Sequence, residues 1–323
     1  MITTSTNLRS KMAASLALLL FISFAWTGTI VFAKMAVCEV SPLNIVSARL
    51  TIAAIFLVCW LRVQKIRLQA TPRSSCRTYF FIATFGHIVP FLLISWSLIS
   101  TPASEGSVLL ATTPVFSSLV SYLRLRRLPS IIEIVGVTLG FVGTMYFIKA
   151  SIIPSVTDLS LQRLALVASA ASFAISGGYA ARLPPDANVR STAAIICWAC
   201  VIIIPISLVI DPPTANLPSS HTLIILLLLG TVSTAIAYVS YYKLVSTDGL
   251  VFASTHHYLV PAIGVVVDSY IFNETLSLQQ LYSVALILAG VALSCSGAWR
   301  RNRQNISKHD GHVAKVKAQG QHR

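Results

Sequence analysis

Residues 107–143 read SVLLATTPVFSSLVSYLRLRRLPSIIEIVGVTLGFVG, and residues 254–290, 147 positions later, read STHHYLVPAIGVVVDSYIFNETLSLQQLYSVALILAG. Laid on each other, Ser107, Pro114, Val120, Ser130, Val137, Leu139 and Gly143 return as Ser254, Pro261, Val267, Ser277, Val284, Leu286 and Gly290. Apolar segments share residues by chance, so identity this sparse is weak evidence of duplication. Spacing is stronger evidence. Apolar runs lie at 14–33, 43–61, 79–98, 104–122 and 131–148, and a second set at 161–181, 190–210, 222–245, 250–272 and 278–298. One offset lays the first five on the second five. Each run holds about 18 to 24 residues, and a helix rising about 1.5 Å per residue needs roughly 20 to cross the hydrocarbon of a bilayer. The expected fold is an all-α integral membrane protein with ten transmembrane helices in two five-helix repeats. An odd number of crossings turns the second repeat upside down. Inverted repeats meeting at the midplane are the architecture of many secondary transporters.

Composition agrees with this. An apolar content of 55% with 11% charged residues fits a polytopic helical membrane protein and excludes the soluble classes. The net charge of +14 invites a nucleic-acid partner, but the distribution of the charge rejects one. Of the 24 Lys and Arg, 20 fall on alternate connections, among them Arg62, Lys65, Arg73, Arg124, Arg126, Arg127, Arg182 and seven in the tail. The opposite side receives Lys34, Lys149 and Arg163, and Arg49 lies within a run. Positive residues stay cytoplasmic, so both termini are expected inside. The division is a cytoplasmic N-terminal segment 1–13, a first repeat 14–148, an external linker 149–160, a second repeat 161–298 and a basic cytoplasmic tail 299–323, polar and expected to be disordered. The first apolar run is longer than a signal-peptide core, and no small-x-small cleavage site precedes Lys34.

Two local signals carry little. Cys197 and Cys200 form a CxxC inside an apolar run with no second pair, so they read as small packing groups. Asn273-Glu274-Thr275 matches a glycosylation acceptor but sits in a loop against the membrane. Leu125–Leu128, with Arg126 and Arg127, occupies the repeat position of Phe272–Thr275, and the positive-inside bias accounts for that asymmetry.

Three stretches resemble the EamA-type family of the drug/metabolite transporter superfamily. The first is Trp26-Thr27-Gly28 through Lys34, leading to Ser41-Pro42 and Ala48-Arg49-Leu50. The second is Pro114-Val115-Phe116 with Gly136 and Gly143, and the third runs from Ala237-Tyr238 through Gly249, Tyr258-Leu259-Val260-Pro261, Glu274 and Gly290. A threonine interrupts the Trp-Gly pair, and Arg127 stands where the first half usually has a glutamate. The resemblance implies a secondary carrier, commonly an exporter of small organic metabolites or amino-acid-like compounds, in a bacterial inner membrane.

The candidate translocation residues are Trp26, Arg49, His87, Glu105, Pro114, Tyr238, His257 and Pro261. Proline removes one helical hydrogen bond, so Pro114 frees the carbonyl of Leu110 and Pro261 that of His257. Their repeat-equivalent positions favour paired hinges over tolerated kinks, whereas Pro90 and Pro205 have no repeat partner. Gly136, Gly140 and Gly143, with Ala285, Ala289 and Gly290, favour close helix packing, within the fold or across a homodimer. His87, His256 and His257 are ionisable groups within hydrocarbon and either relay protons, contact substrate or serve as bonded structural groups. His256 and His257 lie about 100° apart on a helix, so only one is expected to face a cavity, and Pro261 one turn above favours His257. Trp26 and Tyr238 suit the lining of a cavity for an apolar or amphipathic compound, while Trp96 belongs to the interfacial belt. Arg49 either snorkels outward or pairs with Glu105 across the outer mouth.

The partners expected are a small-molecule substrate and the bilayer, with no cofactor or metal. An enzyme is disfavoured: HExxH, histidine boxes and a GxxxxGK[ST] loop are missing from the sequence. A passive facilitator or a membrane scaffold remains the alternative.

Overall fold

Each apolar run lies on helix in the computed structural model, which describes residues 2–66, 73–126, 128–151, 160–183, 188–212, 218–272, 278–279, 281–294 and 296–297. The first half comprises α1 (Ile2–Ala36), α2 (Pro42–Val63), α3 (Arg73–Ala83), α4 (Val89–Ser97), α5 (Ala103–Leu110), α6 (Thr113–Leu125) and α7 (Ile131–Ser151). The second comprises α8 (Leu161–Ala180), α9 (Asn188–Ile210), α10 (Ser220–Gly230), α11 (Ala237–Asp248), α12 (Leu250–Ser254), α13 (His256–Phe272) and α14 (Leu281–Ser294). Local chemistry starts these helices. Ser41, Ser160 and Ser219 each accept the backbone N–H three residues on, at the heads of α2, α8 and α10. Ser130 and Glu133 form a reciprocal capping box at the head of α7.

Among the described residues, six helical spans are long and apolar enough to cross a membrane: Ser10–Ala36, Pro42–Val63, Cys76–Ser97, Glu105–Leu125, Val189–Ile210 and Ser220–Asp248. Ile131–Tyr146 and Leu281–Ser294 are shorter apolar helices. Helix α8 is built differently, from alanine, serine and glycine, and half of its 20 residues are buried. Large apolar side chains such as Phe24, Ile55 and Val201 face outward from mid-helix, each more than half exposed, as a lipid-facing surface requires.

Among the described residues, four of the ten runs are interrupted. The third and eighth contain π-helical turns, Thr84–Ile88 and Thr231–Ile236, whose first residues are 147 positions apart. The fourth breaks at Ala111–Thr112, between α5 and α6, and the ninth at Thr255, between α12 and α13. Pro114 stands in the first turn of α6, and the Leu110 carbonyl that its ring leaves free accepts Thr113 Oγ1 at 2.6 Å. Pro261 departs from the expectation of paired hinges: it stays inside α13, and the break falls at Thr255. There Ser254 and Thr255 hydroxyls take the carbonyls of Val251 and Phe252, competing with the helical ladder. Gly249, with φ 95°, makes the turn from α11 into α12, a conformation that a side chain would strain.

Contacts between the halves are reciprocal. Helix α1 packs on α11 and α13, α8 packs on α4 and α6, and α2 lies along α9. Helices α7 and α14 touch backbone to backbone: a Cβ on Gly290 would stand 2.5 Å from the nitrogen of Gly140. Gly136 and Gly143 extend that seam, as the spacing implied. Ala285 and Ala289 do not, because both are exposed, and Leu286 and Ile287 take their place. The linker at 152–159, the tail 299–323, Arg127 and Asn273–Thr275 lie outside the described residues.

Candidate functional site

Pro90, the third proline of the first half, begins the site. It lacks an N–H, so the carbonyl four residues earlier, Gly86, has no helical donor. The π-turn opens there, and Tyr238 Oη donates to the Gly86 carbonyl at 2.8 Å. The second half repeats the device without a proline. The Ala237 N–H reaches back to the carbonyls of Val232 and Thr234, and the Ser233 carbonyl accepts Trp26 Nε1 at 2.8 Å. Gly86 and Ser233 are repeat-equivalent, 147 positions apart. Each opened turn is therefore capped by an aromatic donor from the other half.

The aromatic contacts obey the same symmetry. Trp26 meets Tyr238 at 5.2 Å, and Phe173 meets Phe91 at 6.0 Å. Trp26 is the repeat mate of Phe173, and Phe91 of Tyr238. Exchanging the halves exchanges one pair for the other. Gly86 admits α8 to this centre, since a Cβ there would lie 2.2 Å from Ser176 Oγ. Ser169 and Ser172 then bond the carbonyls of Pro90 and Phe85.

Between these pairs lies a partly open cavity. Its walls come from both repeats: Trp26, Thr29 and Ile30 of α1, Gly86 and Phe91 beside the first π-turn, Phe173 and Ser176 of α8, Tyr238 and Tyr241 of α11, and His256, His257 and Val260 of α13. Among the described residues, the lining has no carboxylate and no lysine or arginine. It contains polar atoms without partners, because Thr29 Oγ1 and His256 Nε2 are buried and unbonded. His256 Nδ1 lies 2.7 Å from the Ala253 carbonyl, which can only accept, so that nitrogen carries the proton.

Of the nominated residues, the cavity gathers Trp26, Tyr238 and His257. His256 also lines it, against the expectation that one histidine would be excluded. The break at Thr255 makes His256 the first residue of α13, and its ring lies 4.3 Å from Trp26 and 4.0 Å from His257. His87 stands behind the wall, 4.1 Å from the Tyr238 ring, with Nε2 3.0 Å from Tyr242 Oη. Arg49 neither snorkels nor pairs with Glu105. It is 1% exposed, its Nε and Nη2 donate to Thr234 Oγ1, and its guanidinium lies 3.6 Å over the ring of Phe91. Glu105 pairs instead with Arg163, joining the heads of α5 and α8. Pro114 and Pro261 do not line the cavity. Lys34 donates to the carbonyl of Leu98 at the end of α4, at 2.6 Å. Phe91, Phe173 and Tyr241 escaped the sequence reading, although the 147-residue offset from Tyr238 and Trp26 points to the first two.

The sequence profile of the EamA-like transporter family matches residues 13–148 and again 162–296. The chain belongs to the EamA-like transporter family. It is thus a multi-pass membrane transporter built from two EamA repeats. An uncharacterized transporter of Buchnera aphidicola subsp. Schizaphis graminum is 23% identical over 279 residues, covering 86% of this chain and 92% of that protein. The riboflavin transporter of Vibrio cholerae serotype O1 is 23% identical over 237 residues, 72% of this chain and 77% of that one. A solved crystal structure shares the fold at a TM-score of 0.69 and 18% identity, covering 89% of this chain and 98% of its own. Both EamA repeats contribute helices to the wall of the aromatic cavity.

Proposed function

We propose that the protein is a secondary transporter that exports a small organic metabolite by alternating access, with the aromatic cavity as its binding site. The observation that carries this reading is the position of the cavity, walled by repeat-equivalent pairs from both halves and flanked by the two π-turns. In many such carriers interrupted helices form a site between two repeats, and one repeat rocks against the other around it. In this reading ten spans cross a bacterial inner membrane, the two repeats are inverted, and both termini are cytoplasmic. The cavity suits a compound with a flat apolar body and few polar groups, and a relative named as a riboflavin transporter supports that preference.

The test begins with untargeted comparison of metabolites in cells lacking and cells overexpressing the protein. A compound that accumulates on deletion and is depleted on overexpression is then loaded into proteoliposomes. Uphill movement driven by an ion gradient or by counter-substrate, lost in Trp26→Ala at equal protein level, is the expected result. Strictly downhill flux would make the protein a facilitator, and full activity in Trp26→Ala would remove the cavity from the path.

A further inference from the structure

The hydrogen-bonding state of the cavity wall narrows the ligand, given the reading of the cavity as the substrate site. His256 is 1% exposed and donates through Nδ1 to the Ala253 carbonyl. In the neutral imidazole the other nitrogen then holds a lone pair and no proton. That nitrogen, Nε2, is buried in the wall without a partner. A ligand fills the vacancy only by presenting an N–H or O–H; a ligand with a second acceptor there leaves both atoms unsatisfied. The flanking side chains are aromatic rings, with Trp26 4.3 Å from His256 and Phe173 5.8 Å from His257. They set the shape as planar, since offset and edge contacts between rings favour a flat partner.

Charge supplies the third restriction. An aromatic cage without carboxylates would ordinarily suit a quaternary ammonium. Here the Arg49 guanidinium lies 3.6 Å over the ring of Phe91, which lines the cavity, and its hydrogen-bond partner is the neutral hydroxyl of Thr234. Among the described residues no carboxylate neutralises it. The cavity therefore sits in a positive field at low dielectric, which opposes a cationic ligand and favours a neutral or anionic one.

From these three features we infer that the transported substrate is a planar ring compound, neutral or anionic, that donates a hydrogen bond from its ring edge to His256 Nε2. The test uses the full-length protein in detergent and three probes of nearly equal size: indole, 1-methylindole and the phenyltrimethylammonium ion. Indole carries the donor, its methyl derivative lacks it, and the third adds the charge. Calorimetric titration should give indole at least about tenfold tighter binding than 1-methylindole, the consequence of leaving a buried acceptor unpaired. Phenyltrimethylammonium should bind more weakly than either. In His256→Phe indole should fall to the level of 1-methylindole while 1-methylindole keeps its own affinity, which also reports that the variant is folded.

Equal binding of the two indoles by the wild-type protein overturns the donor rule with no variant needed. So does a preference for indole that persists in His256→Phe, and tightest binding of phenyltrimethylammonium overturns the charge rule. Trp26→Ala separates these failures from failure of the underlying reading. Equal binding that Trp26→Ala abolishes leaves the cavity as the site and discards the inference alone. No binding of any probe, or binding indifferent to Trp26→Ala, discards both.

Discussion

Arg49 is a costly residue to bury: a full charge inside the helical bundle whose polar contacts, among the described residues, go to one hydroxyl. Replacing buried charges with apolar groups of similar length is often neutral or stabilising, provided no partner is left orphaned. Thr234 Oγ1 would not be orphaned, because it also donates to the Leu229 carbonyl at 2.7 Å. Arg49→Met should therefore melt at or above the wild-type temperature in detergent, and a fall of several degrees would show that the guanidinium holds the fold together. At this scale the sequence was partly legible. Trp26 and Tyr238 stood out because each coincides with a family-like motif. Arg49 was visible as a charge within an apolar run, but whether it snorkels or turns inward depends on which face of α2 meets α10 and the π-turn Thr231–Ile236, and spacing along one helix does not reveal that. Phe91 and Phe173 looked like ordinary apolar core.

The decisive elements are the two π-turns. Proline reading by repeat equivalence favoured Pro114 and Pro261 and passed over Pro90, which has alanine as its mate. The better rule was to ask where each freed carbonyl goes. Gly86 is freed by Pro90, and its acceptor is used by Tyr238. Ser233 is freed by helical geometry alone, and no sequence pattern announces that. Removing either donor leaves a buried carbonyl unpaired, at about 1–3 kcal/mol. Tyr238→Phe and Trp26→Phe should consequently each lower thermal stability by similar amounts, read as melting shifts in detergent. A loss in one variant alone would mean that the two turns are not equivalent. Helix spacing was more fully legible, since Gly136, Gly140, Gly143 and Gly290 marked the α7–α14 seam in advance. A side chain at Gly290 would press on the Gly140 backbone, which cannot rotate away as a side chain can. Gly290→Leu should cost about 1–3 kcal/mol or more by overpacking. Wild-type stability in that variant would refute the backbone contact.

For the molecule as a whole, the repeat offset carried most of the argument. It predicted the helical runs, and it relates the aromatic pairs that meet across the cavity. It did not predict that four runs would be broken, because breaks depend on hydroxyl and backbone competition at single residues such as Ser254 and Thr255. The central claim is that the cavity between the halves opens in turn to both sides of the membrane. Ser176 tests it without knowledge of the substrate, because it lines the cavity and is 4% exposed. In a background with all six native cysteines replaced, Ser176→Cys is placed in sealed vesicles and treated with a membrane-impermeant thiol reagent added to one side at a time. The account predicts labelling from either side while the vesicles stay tight to the reagent. Labelling from one side only, or from neither, would contradict it.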